Sequence, residues 1–145
     1  MSNTVQDALA KAQFKTDDAI YRIISLPANA ITVAAAILAE IGEAFSAIIV
    51  DQDEVTLIID EEALEEYRHR LLGHVAGPEQ WALITVDVIL EHDLVGFMAV
   101  LSAALAKQKI PIFCFGAFKR DHLLVPLQQR EEALKTLHAL HNQES

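Results

Sequence analysis

The sequence predicts an α+β fold built twice over: a β-α-β-β-α unit followed by a second of the same plan, behind one short leading helix. Three observations carry that reading. Runs rich in β-branched and aromatic residues at 21–26, 45–50, 55–59, 81–89, 110–117 and 122–125 are separated by helix-period segments and turn residues. The order of elements in residues 20–76 recurs in residues 77–141. Residue identities recur too: Phe45 and Asp53 match Phe113 and Asp121 at an offset of 68, and Glu61-Glu62-Ala63-Leu64 matches Glu131-Glu132-Ala133-Leu134 at 70. Helices lying on one face of a mostly antiparallel sheet shared by the two repeats are the expected result.

Each element has a local cause. Residues 5–14 suit a helix capped by Thr4 or Asn3, with Val5, Leu9 and Ala12 (or Phe14) as its apolar stripe. Residues 15–18 are a polar break, so 1–19 read as a leading helix and linker. Tyr21–Leu26 is a strand ended by Pro27-Ala28-Asn29, and the alanine-dense run from Ile31 to Ile41 is a buried helix stopped by Gly42. Two strands around residues 51–54 form a hairpin. Asp60 caps a helix with acids in its first turn and Arg68, His69 and Arg70 in its last, which suits the helix dipole; Gly73 ends it. After a boundary at residues 74–80, a strand from Trp81 leads to a helix capped by Asp93 and running to about Lys107. Two strands about the Phe118–Asp121 turn and a closing helix over 128–141 complete the second repeat, leaving 142–145 as a tail.

Composition bounds the function. A chain of 145 residues with 52% apolar content has a real core to bury. Its formal charge of −10 lacks the basic footprint that a nucleic acid or an anionic membrane requires. The acidity is concentrated in residues 1–73, with 13 acidic against 5 basic groups; residues 74–145 carry 8 and 6. The lone Cys114 forms no intrachain disulfide, the N-terminus is polar where a secretory signal has an apolar centre, and the most apolar run, 30–39, is too short to span a bilayer. A soluble cytoplasmic protein is expected.

The stretch from Asp93 to Pro126 holds the candidate site. Backbone N–H groups at residues 95–97 start a helix at the positive end of its dipole, where a carboxylate is favoured, and Gly96 removes a side chain from the approach. The alternative is that Asp93 merely caps its own helix and Gly96 permits close helix–sheet packing. Asp121 suits a ligand ammonium or a turn bonded to its own backbone. Phe118 is a ligand-facing wall or, as the ordinary assignment, core.

Two motifs in this stretch, Gly96-Phe97-Met98 at the helix start and Phe118-Lys119-Arg120-Asp121-His122-Leu123-Leu124-Val125 at the last strand, resemble those of ACT domains. The resemblance is to the tandem ACT type of aspartokinase regulatory regions, and more closely to CASTOR-type arginine sensors. It covers residues 20–140 and is strongest over 81–135. It implies ferredoxin-like βαββαβ repeats that bind an amino acid or related small metabolite between ACT units. The ligand would lie against Asp93, Val95, Gly96 and Phe97, touch Ala117, Phe118 and Asp121, and meet Pro111 and Ile112 of a partner chain. The chain departs from the family pattern at Ala117, where a small hydroxyl residue is usual, and at Arg120, where an aromatic or small residue is common. Both departures bear on the ligand's identity. Two complete repeats need eight strands and six are visible, so each repeat is expected to borrow its fourth strand from the other. Neither half would then fold alone, and a soluble, cooperatively melting fragment 75–145 would count against this.

No phosphate loop, nucleophile elbow, H-E-x-x-H or C-x-x-C occurs, so no enzyme is expected and no cofactor is called for. The pairs His138/His141 and His69/His74 lack third and fourth ligands and read as solvated surface histidines. Cys114, mid-strand, reads as a buried inert thiol. The expected function is a homo-oligomeric regulatory module that relays amino-acid occupancy to a regulated enzyme or protein partner. The alternative is an ACT-like interaction and oligomerisation module that binds no ligand.

Overall fold

Alternating burial sets the strands, and the helices cover the face on which the buried residues fall. The computed structural model describes residues 4–42 and 44–142, which divide between one unit within 19–80 and another formed by 4–18 with 81–142. The first unit runs β2 (Tyr21–Pro27), α2 (Ile31–Ile41), β3 (Ala47–Val50), β4 (Glu54–Asp60), α3 (Glu61–Tyr67) and β5 (Val75–Ala76). Strands β3 and β4 pair antiparallel, β4 pairs with β2, and β5 closes the other side of β2. The spatial order β3-β4-β2-β5 is that of a complete ferredoxin-like unit. Ile24, Leu26, Val55, Leu57 and Ile59 on its inner face pack on Ala34, Ile37, Ala63 and Leu64, each large side chain contributing about 1.5–3 kcal/mol of burial. Asp60 caps α3 as expected, its Oδ1 accepting from the Ala63 N–H at 2.7 Å. The helix ends at Tyr67 and tightens into a 3₁₀ turn over Arg68–Arg70.

The second unit repeats the plan with β6 (Trp81–Asp87), α4 (Phe97–Lys107), β7 (Phe113–Gly116), β8 (Asp121–Pro126) and α5 (Arg130–Ala139). Its fourth strand comes from the N-terminus. The leading helix, α1 (Val5–Lys11), ends sooner than residue 14, and β1 (Gln13–Thr16) pairs antiparallel with β6, giving the order β7-β8-β6-β1. The expectation that each repeat borrows its fourth strand from the other is therefore corrected: β5 belongs to its own repeat, and β1 lies in the stretch read as helix end and polar break. Leu9, Ala12 and Phe14 from this segment enter the core with Ile84, Val86, Phe97, Leu101, Leu105, Leu123 and Leu137. The reason is local as well as tertiary. Thr4 and Asp7 form a reciprocal capping box that starts α1, and the chain turns extended at Ala12.

His138 and His141 also join this packing, which corrects their reading as simply solvated. The Phe14 ring lies 5.5 Å from that of His141 and 5.9 Å from that of His138, and His141 Nε2 bonds the Ala12 carbonyl. His138 itself keeps an exposed face.

Candidate functional site

Superposing the repeats by register locates what is special about the second. Val50 pairs with Val55 across the first hairpin and Gly116 with Asp121 across the second, an offset of 66 residues. Helices α2 and α4 keep that offset, from Ile31 to Phe97. Strands β2 and β6 do not: Tyr21 pairs with Asp60 and Trp81 with Pro126, so they are offset by 60. The difference is a six-residue extension between β6 and α4. Residues 88–96 stand where the first repeat has only residues 28–30. By the same register Asp121 corresponds to Val55 and not to Asp53, so their match at an offset of 68 is not a structural equivalence.

The extended loop meets the β7–β8 turn. Residues 117–120 close with the Ala117 N–H donating to the Arg120 carbonyl at 2.8 Å. The equivalent turn of the first repeat is tied by Asp51, whose Oδ1 accepts from the N–H groups of Asp53 and Glu54; Ala117 supplies no such side chain. Ala117, Phe118, Arg120 and Asp121 line a small hollow of about 130 Å³ together with Glu91 and His92. The Phe118 and His92 rings are 6.0 Å apart. Beside it, between α1 and the extended loop, lies a larger cleft of about 540 Å³.

A charged cluster sits between the two hollows. Asp87 closes β6, with Oδ2 accepting from Lys15 Nζ at 2.7 Å and Oδ1 from Arg120 Nε at 3.0 Å. These hydrogen bonds, Lys15 first and then Arg120, hold its carboxyl below the usual carboxylate range. The charge pattern follows from strand alternation. Ala82, Ile84 and Val86 enter the core, so Thr85 and Asp87 point to the other face, and Thr85 pairs in register with both Lys15 and His122.

His122 sits next to this cluster, with Nδ1 3.0 Å from Thr85 Oγ1. Burial pushes its imidazole below the ordinary 6.5; Asp121 opposes that shift and Arg120 adds to it. A histidine depressed in the folded chain is protonated more readily in the unfolded one, so its contribution to stability falls as pH drops below 6.5 and levels off beneath the folded value. The melting temperature should therefore decline between about pH 7 and pH 5, the range in which histidine titrates. His122→Asn should flatten that slope; an identical pH profile in both proteins would remove His122 as its source.

The structure sorts the nine residues expected at the site into three groups. Ala117, Phe118 and Asp121 come together in the turn hollow. Gly96, with φ 98°, is the N-terminal cap of α4, while Asp93 lies in the loop before it; the helix starts at Phe97, so Asp93 does not cap it, because the chain needs a left-handed residue to turn into α4. The unpartnered N–H groups therefore begin at Phe97, not residue 95. Val95 is exposed, whereas Phe97 is 3% exposed and belongs to the core. Pro111 and Ile112 lie between α4 and β7, outside both hollows.

Two further expectations are corrected. Phe118 is 87% exposed, not core, because the turn carries it off the end of the sheet. Cys114 is exposed on the edge strand β7, which has a neighbour on one side only, and desolvation with the nearby Asp121 carboxylate raises its thiol above 9.0. Sequence reasoning missed Lys15, Asp87 and Gly116. A Cβ on Gly116 would stand 3.3 Å from Asp121 Oδ1, so this glycine leaves room for that carboxylate. Lys15 had no signal, since its partners become visible only once β1 is paired with β6. Among the described residues no group of three or more His, Cys, Asp or Glu side chains is placed to hold a metal, and no helix is long and apolar enough to cross a membrane.

Two ferredoxin-like units in one chain, with a β–α loop extended in only one of them, define a tandem α+β protein. Residues 76–139 match the ACT domain family, so it is the second repeat that carries the likeness to that family. The fold as a whole resembles three solved structures in particular. A Vibrio cholerae protein of unknown function is 19% identical with a TM-score of 0.76, over 95% of this chain and 96% of that one. An Agrobacterium tumefaciens protein is 22% identical with a TM-score of 0.71, over 90% and 89%. The regulatory subunit of aspartate kinase from Thermus thermophilus is 18% identical with a TM-score of 0.65, over 88% and 95%.

Proposed function

We propose that the protein is a regulatory module that binds a free amino acid in its second ACT repeat and passes occupancy to a partner chain or to its own assembly. The observation that carries this reading is the six-residue extension over 88–96, which faces the β7–β8 turn in the second repeat and has no counterpart in the first. A longer loop set beside the turn of one repeat, where the other repeat has only three residues, suits a ligand more than a plain scaffold. The hollow holds Asp121 for an ammonium, Lys119 and Arg120 for a carboxylate, and the exposed ring of Phe118 for a side chain. At about 130 Å³ it is below the ~300 Å³ of an ordinary ligand pocket, which fits one half of a site completed by a second copy. Pro111, Ile112 and residues 93–96 would then act as neighbouring surface. The similarity to aspartate kinase regulatory subunits supports regulation in place of catalysis.

Thermal-shift measurements with each of the twenty amino acids test the reading. At least one should raise the melting temperature at millimolar concentration, and Asp121→Ala should weaken that ligand by about tenfold, the worth of one charge-assisted hydrogen bond. No shift with any amino acid would sink the proposal. A second reading, a module for assembly alone, is favoured by the edge strands: Ile49, Val50 and Phe113 are 45%, 49% and 46% exposed there. It requires an oligomer whose sedimentation is indifferent to amino acids.

A further inference from the structure

On the helical side of the second unit, α4 and α5 leave a groove of about 330 Å³ that shares no residue with either hollow described above. Its apolar lining is small: Ala104 from α4, Ala139 from α5, and the buried Leu140 just beyond it. Lys107 and Lys135 line it from opposite helices, and among the described residues Glu132 is its only carboxylate. Neither lysine has a hydrogen bond or ion pair among the described residues. The groove therefore carries two open ammoniums against one carboxylate, a local positive excess on a chain of formal charge −10.

The chain also holds the complement to this charge. Residues 19–80 contain 11 acidic and 3 basic side chains, a net of −8, while the other residues contain 10 and 8, a net of −2. Four of those acids lie on α3. Glu61 is engaged by Arg22 and Gln80, and Glu65 by Arg68. Glu62 and Glu66 are exposed and have no such partner among the described residues. Four residues apart, they share one side of the helix at a rise of about 6 Å. After the 3₁₀ turn, Leu71 enters the core, and Leu72 beside it is left 80% exposed.

We infer that the α4–α5 groove docks this segment of a second copy, with Glu62 and Glu66 on Lys107 and Lys135 and Leu72 against Ala104, Ala139 and Leu140. The contact is heterologous, because groove and segment are different surfaces, so copies would add head to tail into a ring or an open filament. It sets the −8 unit of one copy on the −2 unit of the next, and no two −8 surfaces meet there. It uses neither the edge strands nor the turn hollow, and it stands whether or not the second repeat binds an amino acid.

Sedimentation velocity of the full chain tests the inference. The wild-type chain should sediment faster as its concentration rises. The effect should weaken from about 0.1 M to about 1 M salt, where the Debye length shrinks from about 10 Å to about 3 Å. Lys107→Glu with Lys135→Glu, and Glu62→Lys with Glu66→Lys, should each weaken association at least about tenfold, since each double variant sets like charges face to face. Mixing the two double variants should restore it. The reversed groove of one then meets the reversed helix of the other, and the two unaltered surfaces meet likewise. All four side chains are exposed, so an unaltered melting temperature checks the folding of both variants. A wild-type chain that stays monomeric would overturn the inference, as would a mixture that remains dissociated. Double variants that sediment as the wild type does would also overturn it, and would assign the assembly to the edge strands, which these charges do not touch.

Discussion

Replacing Phe14 by alanine is expected to lower the unfolding free energy of the second unit by about 3–5 kcal/mol, the usual cost of removing a buried aromatic side chain. Phe14 is 6% exposed and sits on β1 opposite Val86 of β6, with its ring against His138 and His141. A domain of this size is stable by only about 5–15 kcal/mol, so one substitution in a four-residue strand would consume a fifth or more of the margin. Cutting the chain back to residues 81–145 should do worse. It strips Ala8, Leu9, Ala12 and Phe14 from the core and leaves Ile84–Asp87 of β6 without the β1 ladder. Urea unfolding followed by circular dichroism measures both. The point variant should shift the midpoint with an unchanged slope, and fragment 81–145 should show no cooperative transition. A loss under about 1 kcal/mol for Phe14→Ala, or a cooperative fragment, would reduce β1 to an ornament of a unit that stands without it.

Why β1 escaped the sequence reading is instructive. Gln13-Phe14-Lys15-Thr16 offers one apolar residue between polar neighbours, too little for period two to register over four positions. Its strand character is supplied by β6, whose residues 84–87 pair with it and set a core position for Phe14. Strand propensity measures fit to a neighbouring surface more than any intrinsic preference, so a strand paired across 67 or more residues leaves little local trace. The two-residue β5 escaped for the same reason. The six other strands were legible because Ile, Val, Leu and Phe cluster in them, and the α+β class and the repeat followed from their order.

The candidate site was legible only in part. The turn residues Ala117, Phe118 and Asp121 fell together as expected, because a four-residue hairpin loop keeps them neighbours in any register. The exposures of Phe118 and Cys114 did not follow, since whether a strand is central or at an edge is a property of topology. The loop extension was in the sequence all along: Tyr21 to Trp81 spans 60 residues and Ile31 to Phe97 spans 66. Local identities at offsets of 68 and 70 concealed it, because chance matches between short acidic and aromatic stretches outweigh a shift that only the paired registers reveal. Asp93 misled for a related reason. Aspartate is a favoured N-cap, but the chain enters α4 through a left-handed residue, and only Gly96 takes that conformation without strain.

Gly96→Ala is accordingly expected to cost about 1–2 kcal/mol, the penalty for placing an L side chain at positive φ. Crowding contributes nothing to this figure. A Cβ at Gly96 would meet only Val5 Cγ2, at 3.9 Å, which is ordinary contact. The strain lies wholly in the backbone, and the chain would relieve it by rotating φ away from 98°. The Gly96 carbonyl accepts the first helical hydrogen bond, from the Val100 N–H at 3.1 Å. Rotation would therefore move the loop and leave α4 in place, carrying Leu90, Glu91 and Leu94 with it. Two effects should then appear together: a lower urea midpoint and weaker binding of any amino acid that the loop contacts. Gly42 separates them. Its φ is 86°, nothing lies within 4 Å of a Cβ there, and it ends α2 in the first unit. Gly42→Ala should cost at least as much stability, since its ψ of −124° places it outside the left-handed helical region, and leave binding untouched. Gly96→Asn should fall between wild type and Gly96→Ala, since asparagine visits the left-handed region at lower cost. If Gly96→Ala proves as stable as wild type, the positive φ is not required to enter α4; if it loses stability but binds as before, the loop is held by its own contacts with the core, and Gly96 serves the fold alone.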